Sequence, residues 1–202
     1  MIQFLADRTA QYLAKDDDPA DIEVIAYGYY MFYQQWLITI AILLVSLPFG
    51  WFFPVLAAVT TTMVLRGCVA GTHATHPLTC KIAAFSMSFI PVILAEVFGL
   101  TVVPIAILVM YLLCVALIVK YAPGDTDVKK IKDPLIRKSM KIRSMVWVSA
   151  FFAAVIISNG VFPEISFVIA VSALVTCFMV HPLAYRLFGF DPVTKEAFRL
   201  RC

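Results

Sequence analysis

The sequence predicts an all-α integral membrane protein, a polytopic helical bundle of about six hydrophobic segments in three hairpins, preceded by an N-terminal amphipathic surface helix. Three observations carry that prediction. Apolar residues make up 62% of the 202 positions, and the mean hydropathy is +0.91. A soluble domain is typically ~45–50% apolar, so one aqueous core cannot hide the excess. Charge is absent from long windows: none lies between Glu23 and Arg66, only Glu96 between Lys81 and Lys120, and only Glu164 between Arg143 and Arg186. A spanning helix takes about 20 mostly apolar residues, so each window holds two passes. The sixteen basic residues fall in the N-terminal segment, in 66–81, in 120–143 and after Tyr185, never at the three hairpin tips.

The elements follow in chain order. Residues 2–13 set Ile2, Leu5, Thr9, Tyr12 and Leu13 at helical spacing, which suits a helix lying on a membrane surface. Asp18-Pro19 reads as an N-cap and first helical position, with Asp21 and Glu23 in the first turn. The aromatic run up to Trp36 has the character of a membrane interface. Turn residues Pro48-Phe49-Gly50, Gly99 to Pro104, and Asn159-Gly160 with Pro163 divide the three windows. The expected spans are 26–47, 51–65, 82–99, 103–120, 145–161 and 165–182, the second being short. Residues 124–143 are too polar to span and read as a partly helical loop. Under the positive-inside rule both termini and the two long loops face the cytoplasm.

Composition excludes several classes. The first twenty residues lack an apolar signal core and carry Asp16-Asp17-Asp18 instead. Cys68, Cys80, Cys114, Cys177 and Cys202 show no framework spacing and are expected to stay reduced. A net charge of +3 fits contact with anionic lipid, not nucleic acid.

One segment, Arg66 to Lys81, concentrates two of the three histidines, two cysteines and two glycines. Pro77 suits the first turn of the next helix, with His76 held extended before it. Cys80 then falls in that helix's first full turn, where unsatisfied N–H groups favour a thiolate. His73 precedes the turn at a spacing that lets it take the thiol proton, the minimum apparatus for attack on a peptide carbonyl. By default, a loop His and a Cys at a helix start are structural, and Arg66 is an interfacial charge. A second chemical reading is a zinc site on His73, His76 and Cys80, although a fourth ligand is missing nearby. Cys68, Cys114 and Cys177 read as small packing residues, and His181-Pro182 as a helix end.

Arg66, Gly71, His73 and Cys80 stand at the spacing of the accessory gene regulator protein B (AgrB) family, and the loop resembles that family's. Lys120-Tyr-Ala-Pro-Gly-Asp-Thr-Asp, followed by Pro134 and a basic run, resembles the family's second signature. The resemblance spans essentially the whole chain and implies one membrane peptidase domain, 1–202. Its parts are an interfacial N-terminal segment (1–23), a catalytic loop (66–81) and a basic loop (121–144). Cys68 departs from the pattern by adding a second thiol to the loop. The resemblance implies a cysteine endopeptidase that cuts the C-terminal tail from a quorum-sensing propeptide through a thioester and promotes thiolactone closure. It implies Cys80 as nucleophile and His73 as general base, with Arg66 and Gly71 shaping the loop or holding substrate. It also implies an AgrD-like propeptide as partner, a homodimer, and neither cofactor nor metal.

The basic loop, with Lys129, Lys130, Lys132, Arg137, Lys138, Lys141 and Arg143, is explained by orientation and lipid contact alone. The resemblance adds capture of an acidic propeptide tail, beginning with Lys129 and Lys130. A third catalytic group has no candidate, Ser88 being too far into the helix to touch the reaction, and Glu96 stays unassigned. The rivals are an exporter component for the peptide, for which Glu96 is nearly the only polar midplane candidate, and a non-catalytic scaffold.

Overall fold

The computed structural model describes residues 2–13, 19–69, 77–97, 99, 101, 103–124 and 133–187, with 19–21 and 77–80 described by backbone alone. His73, Gly71, Lys129 and Lys130 lie outside the described residues. The chain is an all-α membrane protein with eight described helices: α1 (Ile2–Leu13), α2 (Pro19–Ser46), α3 (Phe52–Val69), α4 (Pro77–Glu96), α5 (Pro104–Tyr121), α6 (Pro134–Ser158), α7 (Pro163–Phe178) and α8 (Pro182–Leu187). It forms two compact units, residues 1–50 and 51–202.

In the first unit, α1 packs along α2. Ala6 and Ala10, one turn apart, are fully buried, and Thr9 Oγ1 shares a 2.9 Å hydrogen bond with Tyr33 Oη. Small side chains let the helix axes come close. Of the stripe legible in the sequence, Leu5, Tyr12 and Leu13 are exposed, with Phe4 beside them, as a helix resting on lipid requires, while Ile2 and Thr9 are half-buried. No break separates a surface part from a spanning part of α2, which is one continuous helix that opens at Pro19. Phe32, Trp36, Leu37, Ile40 and Leu44 are exposed along it, a surface that only a hydrocarbon environment covers favourably. A 3₁₀ turn at Leu47–Phe49 ends it, closed by Gly50 at φ 72°, where a side chain would be strained.

In the second unit, α7 packs against α3, α4, α5 and α6. It is the shortest of these five helices, and its buried face is mostly of small residues: Ser166, Val168, Ala170, Ser172, Ala173, Thr176 and Cys177. Surrounded by protein, it has little lipid to face and needs neither great length nor a bulky surface. Thr176 Oγ1 returns its proton to Ser172 O at 2.7 Å, which satisfies a hydroxyl that lipid could not. Around α7 the core gathers Leu65 and Val69 from α3, Ile107 and Ile118 from α5, and Val148, Phe152 and Val155 from α6.

The expected spans correspond to α2–α7, with two differences. The second reaches Val69 and is 18 residues long. The stretch expected as a partly helical loop is helical from Pro134 and runs without a break into the next span as α6, a 25-residue helix whose N-cap Asp133 accepts from Leu135 N–H at 2.8 Å. Proline at the first helical position costs nothing because its missing N–H is one the helix cannot use. Glu96 also resolves: it is the exposed last residue of α4, near enough to Glu164 in the first turn of α7 for their charges to repel. It belongs to the hairpin-tip end and not to a path through the bundle.

Candidate active site

Four contacts gather the helix ends of the second unit. The Gly124 N–H donates to Val69 O at 3.1 Å, joining the segment after α5 to the end of α3. The rings of Tyr121 and His181 meet edge to face at 4.9 Å, joining the ends of α5 and α7. The Lys141 ammonium donates to Val119 O, so a cation from the start of α6 caps the last carbonyls of α5. At the other end, Ser158 and Ser166 hydroxyls bond at 2.8 Å across the α6–α7 hairpin. Successive helices therefore alternate in direction, and Arg66, Lys120, Lys141, Arg143 and Arg186 collect at one end, called here the basic end.

At this end the structure brings together Val69 and Gly124, which stand 55 residues apart in the sequence. α3 stops at Val69, whose carbonyl is held by Gly124, and the chain next enters α4 at Pro77. The segment Tyr121-Ala122-Pro123-Gly124 is itself inside the protein: Ala122 is 8% exposed and Pro123 is fully buried. Lys120 Nζ lies 5.2 Å from the Tyr121 ring centre. The last residue of α3 is thus joined by a hydrogen bond to the second motif.

Arg66 is half-buried in the last turn of α3, where a cation complements the unpaired carbonyls. Cys80 is the fourth residue of α4, so its place in the first turn agrees with the expectation from Pro77. Cys68 is half-buried one residue before the end of α3, while Cys114 and Cys177 are wholly buried in the core, which leaves them as packing residues. The sequence reading undervalued His181, which sits among these helix ends, packed on Tyr121. Its only sequence signal is the His-Pro pair it shares with His76-Pro77. A separate apolar cavity of about 410 Å³ lies between α5 and α6 toward the hairpin tips, lined by Pro104, Tyr111, Ser149 and Asn159 among others. It contains none of the candidate residues.

The fold and this end define a polytopic α-helical membrane protein with basic side chains gathered at one end of its helices. The chain matches the model of the family described as Accessory gene regulator B over residues 6–180, and it belongs to that family. That membership carries a role in the accessory gene regulator system. Neither a curated protein nor a solved structure matches it.

Proposed function

We propose that the protein is a membrane-embedded cysteine endopeptidase that removes the C-terminal tail of a quorum-sensing propeptide and promotes thiolactone closure. Cys80 is the nucleophile and His73 the general base. The single observation that carries this reading is the Val69–Gly124 hydrogen bond, which ties the loop bearing both residues to the second family motif. A thiol at the start of a helix meets the N-terminal partial positive charge, which stabilises the thiolate. A bundle end walled by apolar helices admits a peptide and limits water. By the positive-inside rule this end faces the cytoplasm across a bacterial plasma membrane. The substrate is an AgrD-like propeptide, the lipid contact is anionic, and the working form is a homodimer.

Inhibitors separate the thiol mechanism from zinc chemistry. Iodoacetamide is expected to inactivate cleavage in step with alkylation of Cys80, while a zinc chelator leaves the rate unchanged. Loss of activity on chelation, restored by zinc, overturns the thiol assignment in favour of a metal held by His73, His76 and Cys80.

The basic loop yields a second expectation. Lys129, Lys130 and Lys132 changed together to Gln should lower kcat/KM for a propeptide with an acidic tail by about tenfold at low salt. The deficit should shrink as salt rises, because attraction between exposed charges is screened beyond roughly 8–10 Å at ordinary ionic strength. Measurement of processing at several salt concentrations checks this. A deficit absent at every concentration leaves these lysines only their part in orientation.

A further inference from the structure

The cavity between α5 and α6 takes no part in the proposed chemistry, yet its depth and polarity are well defined. Its floor is formed by buried Ile107 and Phe152, the latter against the Tyr111 ring at 5.5 Å. Leu108, Ala153 and Ile156 on its rim are exposed, so it opens on the lipid-facing side. Pro104, the first residue of α5, and Asn159, the C-cap of α6, mark its outer end at the hairpin tips. Ser149, ten residues before Asn159, marks the inner end, where its Oγ shares a 3.1 Å hydrogen bond with Tyr111 Oη. At 1.5 Å per residue the cavity is about 15 Å deep, half of a hydrocarbon layer about 30 Å thick. It is therefore one leaflet deep.

Size and polarity select the occupant. A volume of about 410 Å³ over that depth gives a mean section of about 27 Å², whereas a helix about 10 Å across takes about 80 Å². A chain of methylenes fits, and a helix from a second copy does not. At the outer end Asn159 Oδ1 is buried and has no hydrogen-bond partner among the described residues. A buried carbonyl oxygen without a donor is costly, so the occupant has to bring an N–H or O–H to that level. The same end carries Glu164, five residues after Asn159, and Glu96 within Coulombic reach of Glu164, both exposed. The α4–α5 and α6–α7 tips hold no Lys or Arg. Negative charge without a cation beside it favours a donor that is itself positive.

We propose that this cavity is a lipid site. It takes one acyl chain of a phospholipid from the leaflet at the hairpin tips, and a primary ammonium on that lipid's headgroup donates to Asn159 Oδ1. Within a bilayer no hydrophobic force drives the chain in. Retention comes from packing on the Ile107 and Phe152 floor and from the charge-assisted hydrogen bond. Headgroup chemistry therefore decides occupancy. A quaternary ammonium has no N–H to give, and an anionic headgroup is repelled by the two carboxylates. The anionic lipid of the proposed function lies at the basic end, in the other leaflet.

The test uses the full-length protein in phosphatidylcholine vesicles that hold a trace of a photoactivatable phospholipid, with a diazirine near the end of one acyl chain. The probe is made with an ethanolamine, a choline or a glycerol headgroup. Irradiation and peptide mapping should place the ethanolamine probe on residues 104–111 and 149–159 at about tenfold the yield of the choline probe, as one charge-assisted hydrogen bond allows. The glycerol probe should stay near the choline yield. Asn159→Leu should bring the ethanolamine probe down to that level too. Ala153→Trp, which fills the cavity from a lipid-facing position, should abolish labelling of these residues and leave that of α2 unchanged. Equal yields from the ethanolamine and choline probes on the wild type overturn the proposal without any variant. So does a higher yield from the glycerol probe. Labelling that Ala153→Trp leaves untouched, or that spreads evenly over α2 and α5, makes the lipid a general neighbour and removes the site. Labelling that falls as more protein is packed into the same lipid gives the cavity to a second copy instead.

Discussion

Cys80→Ala is expected to reduce propeptide cleavage by about 10⁴-fold or more, equivalent to ~5 kcal/mol of transition-state stabilisation, with propeptide binding retained. The size of the loss follows from the chemistry. Without the sulfur there is no acyl-enzyme, and the rest of the site has only water to activate, in a place that limits its access. His73→Ala should cost about 10²–10⁴-fold, the ordinary contribution of a positioned base. Combining the two should cost little more than Cys80→Ala alone, because residues that act as one unit are not additive. Cys68→Ser and His76→Ala serve as the contrast and should keep substantial activity. Cleavage rates measured on purified variants of equal membrane content decide the matter, and a Cys68→Ser null would move the nucleophile to the end of α3.

A propeptide whose internal cysteine is replaced should still be cut, and should accumulate as a covalent adduct on Cys80. Ring closure into a thiolactone needs acyl energy, which hydrolysis would discard. Attack by Cys80 transfers the propeptide's N-terminal part to its sulfur as a thioester and releases the tail as an amine. The propeptide's own thiol can then take over that acyl group, with the proton returning to Cys80, at nearly equal free energy on both sides. Holding thiol and thioester in one site supplies the effective concentration that closure requires. Remove the internal thiol and the second step has no attacker, so the first product persists. Mass spectrometry after rapid quenching should find the adduct at near-stoichiometric yield, sensitive to hydroxylamine and absent in Cys80→Ala. Normal cleavage without an adduct would remove the acyl-enzyme from the mechanism.

Much of this protein was legible because the bilayer imposes one-dimensional rules. Six apolar stretches became α2–α7, and Pro19 and Pro77 open the helices they were placed to open. Length in lipid and the missing proline N–H are local constraints, independent of neighbours. The surface helix was legible as a helix, but its contact face was not. Period alone marks Leu5 and Tyr12 as an apolar stripe, while the packing rests on Ala6 and Ala10, whose smallness matters only once α2 is beside them. That the basic stretch at 134–143 is one helix with the span after it was not legible for a related reason. Polarity signals exit from lipid, and a helix can continue unbroken past that boundary, as α6 does.

The sequence by itself determined the class, the gathering of positive charge at one end, and the motif that nominates Arg66, Gly71, His73 and Cys80. Each of these follows from spacing along the chain or from the solvent each residue prefers. Only the tertiary structure decided that α7 is the helix the others share, that Gly124 holds the carbonyl of Val69, and that Glu96 faces Glu164 at the hairpin tips. It also decided that His181 stands on Tyr121 with its ring fixed. These depend on which helices lie side by side. That order is set by many small van der Waals fits between Ser, Ala and Thr faces, none of which leaves a period or a charge pattern in the sequence.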